Sequence, residues 1–396
     1  MFRSPSTLAD TYDAVVIGGG GHGLAAAYYL ARDHRIHNVA VLEKGYIGGG
    51  GTGRNTAIVR SNYLTSEGAR FYQASVELFE GLSRELDFNL FYTRRGHFTL
   101  AHSPASLRTQ RWRAEVNKTL GIDSEVVDPD FIQKQVPEMD LSCGGHQAPV
   151  HGALYHPPGS IARHDAVAWA YARGADRQGV EIHQQTEVDG IEVRDGEVIG
   201  VHTDRGFIQT RKVLSAVAGW TPSITSMVGI RTPLVIHPLQ AMVTEPLKPW
   251  LHPIIVSASM HMYLSQSTRG ELVAGASLDP YELTSMRSTL GFAESLAADM
   301  IDLFPCLWDI KVLRQWAGLC DMTPDFSPIM GITPIKGFYL DAGWGTWGFK
   351  ATPISGKTMA YTLAHDHPHP LIESFRLDRF RDFQLVGEKG AASVGH

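Results

Sequence analysis

Two cations suggest chemistry before any fold is considered. Arg60 closes a stretch, residues 48–60, that opens on the glycine run Gly48 to Gly51 and continues through Gly53. Lys350 closes a second stretch, residues 337–350, with Gly343, Gly345 and Gly348 at alternating or near-alternating positions. Glycine-rich loops let backbone lie against something flat, and a charge placed just beyond such a loop is aimed at the same object. Two cations meeting there would hold a carboxylate, Arg bidentately and Lys as a point charge. A carboxylate anchored in this way sets the neighbouring amine-bearing carbon over a hydride acceptor. Taken singly, an Arg or a Lys reads as a surface charge, and residues 48–60 taken singly read as a surface loop.

Positioning these residues requires a dinucleotide-binding unit, and the N-terminus spells one. An apolar strand from Tyr12 runs into Gly18, Gly20 and Gly23, which fit G-x-G-x-x-G. An Ala-rich helix follows, then a second apolar strand ending at Glu43. The first glycine permits the turn, the second lets backbone approach a pyrophosphate, and the third lets helix pack on strand. The helix expected from Gly23 presents free N–H groups to that anion. Glu43 follows Gly23 by about 20 residues, where an acid accepts ribose hydroxyls. Gly21, His22 and Lys44 flank these positions and join the candidate cofactor set. A glycine-rich return near the C-terminus is a flavoprotein habit and favours FAD. The first motif alone leaves an NAD-linked dehydrogenase open.

The rest of the chain supplies the remaining elements. Residues 66–140 mix amphipathic helices with short strands, including one at 96–101. A helix with Ser160 as N-cap is expected through 167–172, and strands at 180–183 and 187–193. Residues 212–220 read as a buried strand ending at Gly219, against a cofactor. Residues 233–278 alternate like an antiparallel sheet with a hairpin tip at 268–270, and a helix covers 291–303. The fold class is therefore α/β (α+β mixed): a Rossmann-like FAD-binding domain from residues 1–65, 150–230 and 325–396. An antiparallel substrate and interface domain is inserted from 66–149 and 231–324. Residues 388–396 read as a loosely held tail.

Composition narrows the class. The chain has 396 residues, 43% of them hydrophobic and 19% charged, with a net charge of -6. No basic block suits nucleic acid, and no apolar run reaches the ~20 residues that span a bilayer. No secretory leader is visible. The three cysteines, Cys143, Cys306 and Cys320, have no metal-ligand spacing, so no metal is expected, and they suit a reducing, cytoplasmic setting.

His164 is one of 18 histidines and by its surroundings alone is unremarkable. The motifs at 16–23, 54–56, 161–169, 237–241 and 343–346 together change that. Over nearly its whole length the chain resembles the β subunits of heterotetrameric sarcosine oxidases, within the D-amino-acid-oxidase-like flavoproteins. The Arg163-His164-Asp165 motif is the part specific to the heterotetrameric type. In the first glycine loop, residues 48–60, Asn55 and Thr56 offer polar contacts to a flavin, and Gly51, Thr56 and Ile58 offer backbone contacts. The resemblance implies non-covalent FAD, with Arg54 and Thr346 in the shared motifs and the backbone of Val188 on the adenosine part. It implies a second flavin, FMN, joined covalently to His164 and passing electrons to O2. Arg60 and Lys350 match substrate-carboxylate positions, the substrate being a small N-methyl amino acid. Partner subunits α, γ and δ are implied as well.

There are departures from the pattern. Related monomeric enzymes attach FAD to a cysteine, and the matching place here, near Gly318, has none, with Cys320 out of register. Trp347 stands where glycine is common, and Gly51 where a polar residue is common. A single-flavin amino- or imino-acid dehydrogenase and a non-catalytic flavin carrier remain as rival readings.

Overall fold

β1 (Ala14–Ile17) and β2 (Val39–Glu43) are almost wholly buried because both of their faces are covered. They pair in parallel, Val15 opposite Ala40, with the helix α1 (Gly21–His34) crossing between them. Ala14, Val16, Val39 and Val41 pack into a layer of helices. Val15, Ile17, Ala40 and Leu42 pack on the other side, against a small antiparallel sheet of Val188–Arg194, Glu197–Thr203 and Gly206–Gln209. A strand buried on both faces reads as a continuous apolar run, as these do.

The computed structural model describes residues 7–388. β1 and β2 belong to a six-stranded sheet. Its order is Ile329–Ile332, Phe338–Ala342, Val213–Ser215, β1, β2, Glu181–Gln184. All neighbours are parallel except the Ile329–Ile332 edge. The last long helix, Gly348–His365, lies directly on α1. A Cβ on Gly356 would sit 2.4 Å from the Ala25 Cβ, so the absence of a side chain there permits the contact.

The second unit is an eight-stranded sheet whose core includes Phe98, Leu100, Met262 and Leu264, with Leu296 and Met300 of the helix Leu290–Leu303. It is antiparallel except where Ile254–Ser257 runs parallel to His97–Ala101. Glu271–Leu278 and Met262–Gln266 form the expected hairpin. Gly152–His156 also belongs to this sheet, so the large sheet takes in residues beyond 150. Among the described residues no helix is long and apolar enough to cross a membrane.

Three local expectations change. α1 begins at Gly21, not Gly23. Ser160 caps no helix: it pairs with Val59 and Arg94 in a three-stranded sheet, and its hydroxyl donates to Pro158 O (2.7 Å) and lies 3.0 Å from Tyr92 Oη. The helix there runs His164–Arg177. The strand expected over 212–220 ends at Ser215, and the chain turns through Ala218 (φ 48°) into a short 3-10 turn.

Glu388, read from sequence as the start of a loose tail, is 2% exposed. It accepts from the backbone N–H of Leu64 (3.1 Å) and Thr65 (2.9 Å) and from the Thr65 hydroxyl. Just before it, Val386 N–H donates to Asp325, which is paired with the buried Arg379. Residues 389–396, the rest of that expected tail, lie outside the described residues. Replacing Glu388 with Ala strands three donors at the start of the helix Ser66–Glu85. The expected loss of stability is about 1–3 kcal/mol, read as a lower urea midpoint at unchanged m-value.

Candidate functional site

The two glycine segments meet. At the start of α1, Gly18 adopts φ +112°, and a Cβ there would lie 2.4 Å from Ala216 O. The N-cap residue Gly20 has no side chain to cap α1, and the N-terminus lines the adjoining cavity through Gly20, Gly21 and His22, with the dipole and N–H groups that suit an anion. Gly21 N–H donates to Thr52 Oγ1 (2.9 Å). Glu43 accepts from Gly19 N–H and Gly45 N–H, each at 2.8 Å, so it holds the turn as well as facing the cavity.

His22 does something its sequence position does not announce. Its Nδ1 lies 3.2 Å from Asp341 Oδ2, and its Nε2 lies 2.8 Å from Gly348 O. Both partners are pure acceptors, so both ring nitrogens donate and the ring is an imidazolium. Burial alone would lower its pKa, but the Asp341 carboxylate and these hydrogen bonds raise it above the ordinary 6.5. Asp341 also accepts from Trp344 Nε1 (2.6 Å) and Ser355 Oγ (2.7 Å). Asp321, with burial raising its pKa to about 6, accepts from Gly343 N–H (2.6 Å) and fixes the second glycine loop.

These elements wall a cavity of 560 Å³ between the six-stranded sheet and the inner face of the large sheet. Of the sequence candidates, Gly18, Gly20, Gly21, His22, Glu43, Lys44, Gly51, Arg54, Asn55, Thr56, Ile58, Arg60, Val188, Gly345, Thr346, Gly348 and Lys350 line it. Gly23, Gly219, Gly343 and His164 do not. A Cβ on Gly23 would meet Gly18 O at 2.1 Å, so its place is in helix–strand packing. Gly219 packs on Leu319 and Gly343 on Thr323, where a Cβ would sit 2.7 Å and 2.6 Å away. A bare, glycine-walled helix N-terminus with an acid at the next strand end fits FAD.

Arg60 is 6% exposed and Lys350 9%. Arg60 donates to Asn62 Oδ1 (2.9 Å) and its guanidinium lies over Tyr63, 4.6 Å from the ring centroid. Lys350 Nζ has one hydrogen bond among the described residues, 3.4 Å to Thr346 O. Burial and then the Arg60 charge push the Lys350 ammonium well below its ordinary range. Trp347 is stacked into the same wall, 4.6 Å from Tyr63 and within reach of Arg60. The backbone around Arg60 is tied from several sides. Arg113 Nε donates to Asn62 O (2.7 Å), Asn117 donates to Tyr63 O (2.8 Å), and Ser61 N–H donates to His156.

His164 is the first residue of its helix and half-buried; its Nδ1 is buried without a hydrogen-bond partner among the described residues. Burial keeps its pKa below the ordinary value, so the ring is neutral. Arg163 and Asp165 on either side pair with each other (2.6 Å). Cys320 and Gly318 lie on the cavity wall. Burial, with Asp321 adding, pushes the Cys320 thiol far up and leaves it a poor nucleophile. Sequence reasoning missed Asp321 and Asp341. Among the described residues no cluster suits a metal ion.

Residues 13–362 match the model of the family described as FAD dependent oxidoreductase. The chain is 45% identical to the sarcosine oxidase subunit beta of an Arthrobacter species over 98% of its length and 95% of the relative's. It is 45% identical to that of Rhizobium meliloti over 96% and 91%. Among solved structures, L-proline dehydrogenase from P. horikoshii superposes with a TM-score of 0.89 at 28% identity, covering 96% of this chain and all of that one.

Replacing His22 with Leu removes the partner of the buried Asp341 and the donor to Gly348 O. Breaking such a pair costs about 3–5 kcal/mol, so the variant is expected to denature at markedly lower urea and to retain little FAD. The imidazole pKa is raised in the fold. Its stabilisation is therefore complete below pH 6.5 and falls away as pH rises through the raised value. In His22→Gln that decline should flatten, as pH-dependent urea titrations would reveal.

Proposed function

This chain belongs to the FAD dependent oxidoreductase family, within it to the sarcosine oxidase subunit beta group, and from that membership we propose its substrate and electron route. It is a flavin-dependent oxidoreductase acting on the CH–NH group of an amino acid. The proposed substrate is sarcosine or a related N-methyl amino acid, oxidised by one subunit of a complex with α, γ and δ partners in the cytoplasm. The observation that carries the reading is the pair Arg60 and Lys350, both buried cations on the wall of one glycine-lined cavity. A carboxylate placed between them opposes the depression of the Lys350 pKa that burial and then the Arg60 charge produce.

FAD bound non-covalently supplies the hydride acceptor. Arg60 and Lys350 fix the carboxylate end, and Trp347, backed by Tyr63, bounds the space beside it and limits substrate bulk. Burial of this wall keeps water from the reacting carbon. A neutral imidazole at His164 is the state needed to bond the 8α carbon of FMN, which would relay electrons to O2. The net proposed reaction is sarcosine, O2 and water giving glycine, formaldehyde and H2O2. The protonated, buried Cys320 supports non-covalent FAD.

A second reading, a single-flavin amino- or imino-acid dehydrogenase, is favoured by the likeness to L-proline dehydrogenase. Peptide mass mapping of protein co-expressed with its partners separates the two. An FMN-bearing His164 peptide supports the proposal; an unmodified one moves the reading to the dehydrogenase. In His164→Ala, substrate is expected still to bleach FAD while turnover with O2 collapses.

Arg60→Met or Lys350→Met should weaken a carboxylate inhibitor by about 2–5 kcal/mol with bound FAD retained. Lys350 takes up a proton as the carboxylate arrives, because its pKa is depressed in the free site. Inhibitor affinity is therefore expected to fall as pH rises. The slope should vanish in Lys350→Met, as calorimetry in buffers of differing ionisation heat would register.

A further inference from the structure

His97 has no part in the site described so far. It opens the strand His97–Ala101, paired in register with His156 on one side and Ile254 on the other. The strand alternates: Phe98 and Leu100 enter the core of the large sheet, while His97 is turned to the opposite face and lines the cavity. It is 1% exposed, and neither ring nitrogen has a hydrogen-bond partner among the described residues. A buried polar group without a partner is costly, and in a native protein it calls for an explanation. His156, its neighbour, is by contrast engaged at both nitrogens, with Asp123 O and Ser61 N–H.

The titratable groups facing His97 are Arg60, His156, Arg113 and Lys350, and burial holds His156 neutral by lowering its pKa to about 3. Burial and these neighbours hold its pKa well below the ordinary value. The ring is therefore neutral and carries one N–H donor and one acceptor. Two of these groups, Arg60 and Lys350, are the pair assigned to the carboxylate, and His97 lines the same cavity as they do.

We propose that His97 is a third carboxylate-binding residue, donating its single imidazole N–H to the substrate carboxylate beside Arg60 and Lys350. The proposal rests on the carboxylate reading of those two residues. A neutral donor adds a directed hydrogen bond without a third positive charge. That favours a small amino acid whose carboxylate sits close to the amine carbon, because the three donors share one anion.

The test uses FAD-loaded protein and methoxyacetate, which has the shape and carboxylate of sarcosine but an ether oxygen in place of the N–H. Its dissociation constant is read from perturbation of the flavin spectrum. His97→Phe should weaken it roughly ten- to a hundredfold, as loss of a hydrogen bond to a charged group implies. His97→Asn or His97→Gln, which place an amide N–H near Nδ1 or Nε2, should restore binding to within a few-fold in one case. In wild-type protein labelled with ¹⁵N-histidine, the signal missing from His97→Asn should shift on adding methoxyacetate. That measurement stands even if the Phe variant fails to fold. Unchanged affinity in His97→Phe, failure of both amides to restore it, or an unmoved His97 signal each overturns the proposal. If wild-type protein does not bind methoxyacetate at all, the Arg60 and Lys350 reading falls with it.

Discussion

One buried ion pair, His22 with Asp341, brings the two ends of this chain to one place. His22 stands in the first glycine turn and Asp341 on the strand leading into the second glycine loop. The imidazolium also donates to Gly348 O, at the start of the last long helix. With Trp344 and Ser355 on the same carboxylate, every acceptor is used. A fully satisfied polar network in a low-dielectric interior is strong and specific in geometry, while a partly satisfied one is a liability. Two helix N-termini are thereby aimed into one cavity, and Asp321 sets the loop between them. Both members of the pair line the cavity wall, so its cation and its anion offset each other there.

The facing wall is held differently. Arg60 is on neither large sheet's core strands; the short segment after it is gripped through its backbone by Arg113, Asn117, His156 and Glu388. The last of these comes from the end of the described chain, which folds back through Asp325 and Arg379. Two cations, Arg60 and Arg113, therefore share a buried region, and burial with Arg60 pulls Arg113 down to about 9. Under the proposed carboxylate reading, an arriving anion relieves that electrostatic tension. Stability of the C-terminal strap and the geometry of the binding site are coupled by the same hydrogen bonds.

Much of this was written in local sequence. The glycine turn, the double-sided apolar strands and the acid at Glu43 each follow from backbone conformation or from period-two burial, which neighbouring residues alone dictate. The fold class followed, and with it the flavin family, because two local patterns had to serve one ligand. The cation pair was legible for the same reason, since each member sits next to a glycine loop.

Local pattern could not supply the long-range partners. Ser160 looks like a helix cap until the three-stranded sheet claims its backbone. Gly219 looks like a cofactor contact until Leu319 is packed on it. Glu388 looks like tail until it meets Leu64 and Thr65, and His97 looks like any strand histidine until the cavity lies over it. Neighbouring residues alone set the secondary structure around each glycine segment and the chemistry of the side chains placed there. Which buried polar groups meet was settled by folding in three dimensions. Hydrogen bonds and charge interactions act over a few ångströms in space, and the residues that make them here are separated by most of the chain.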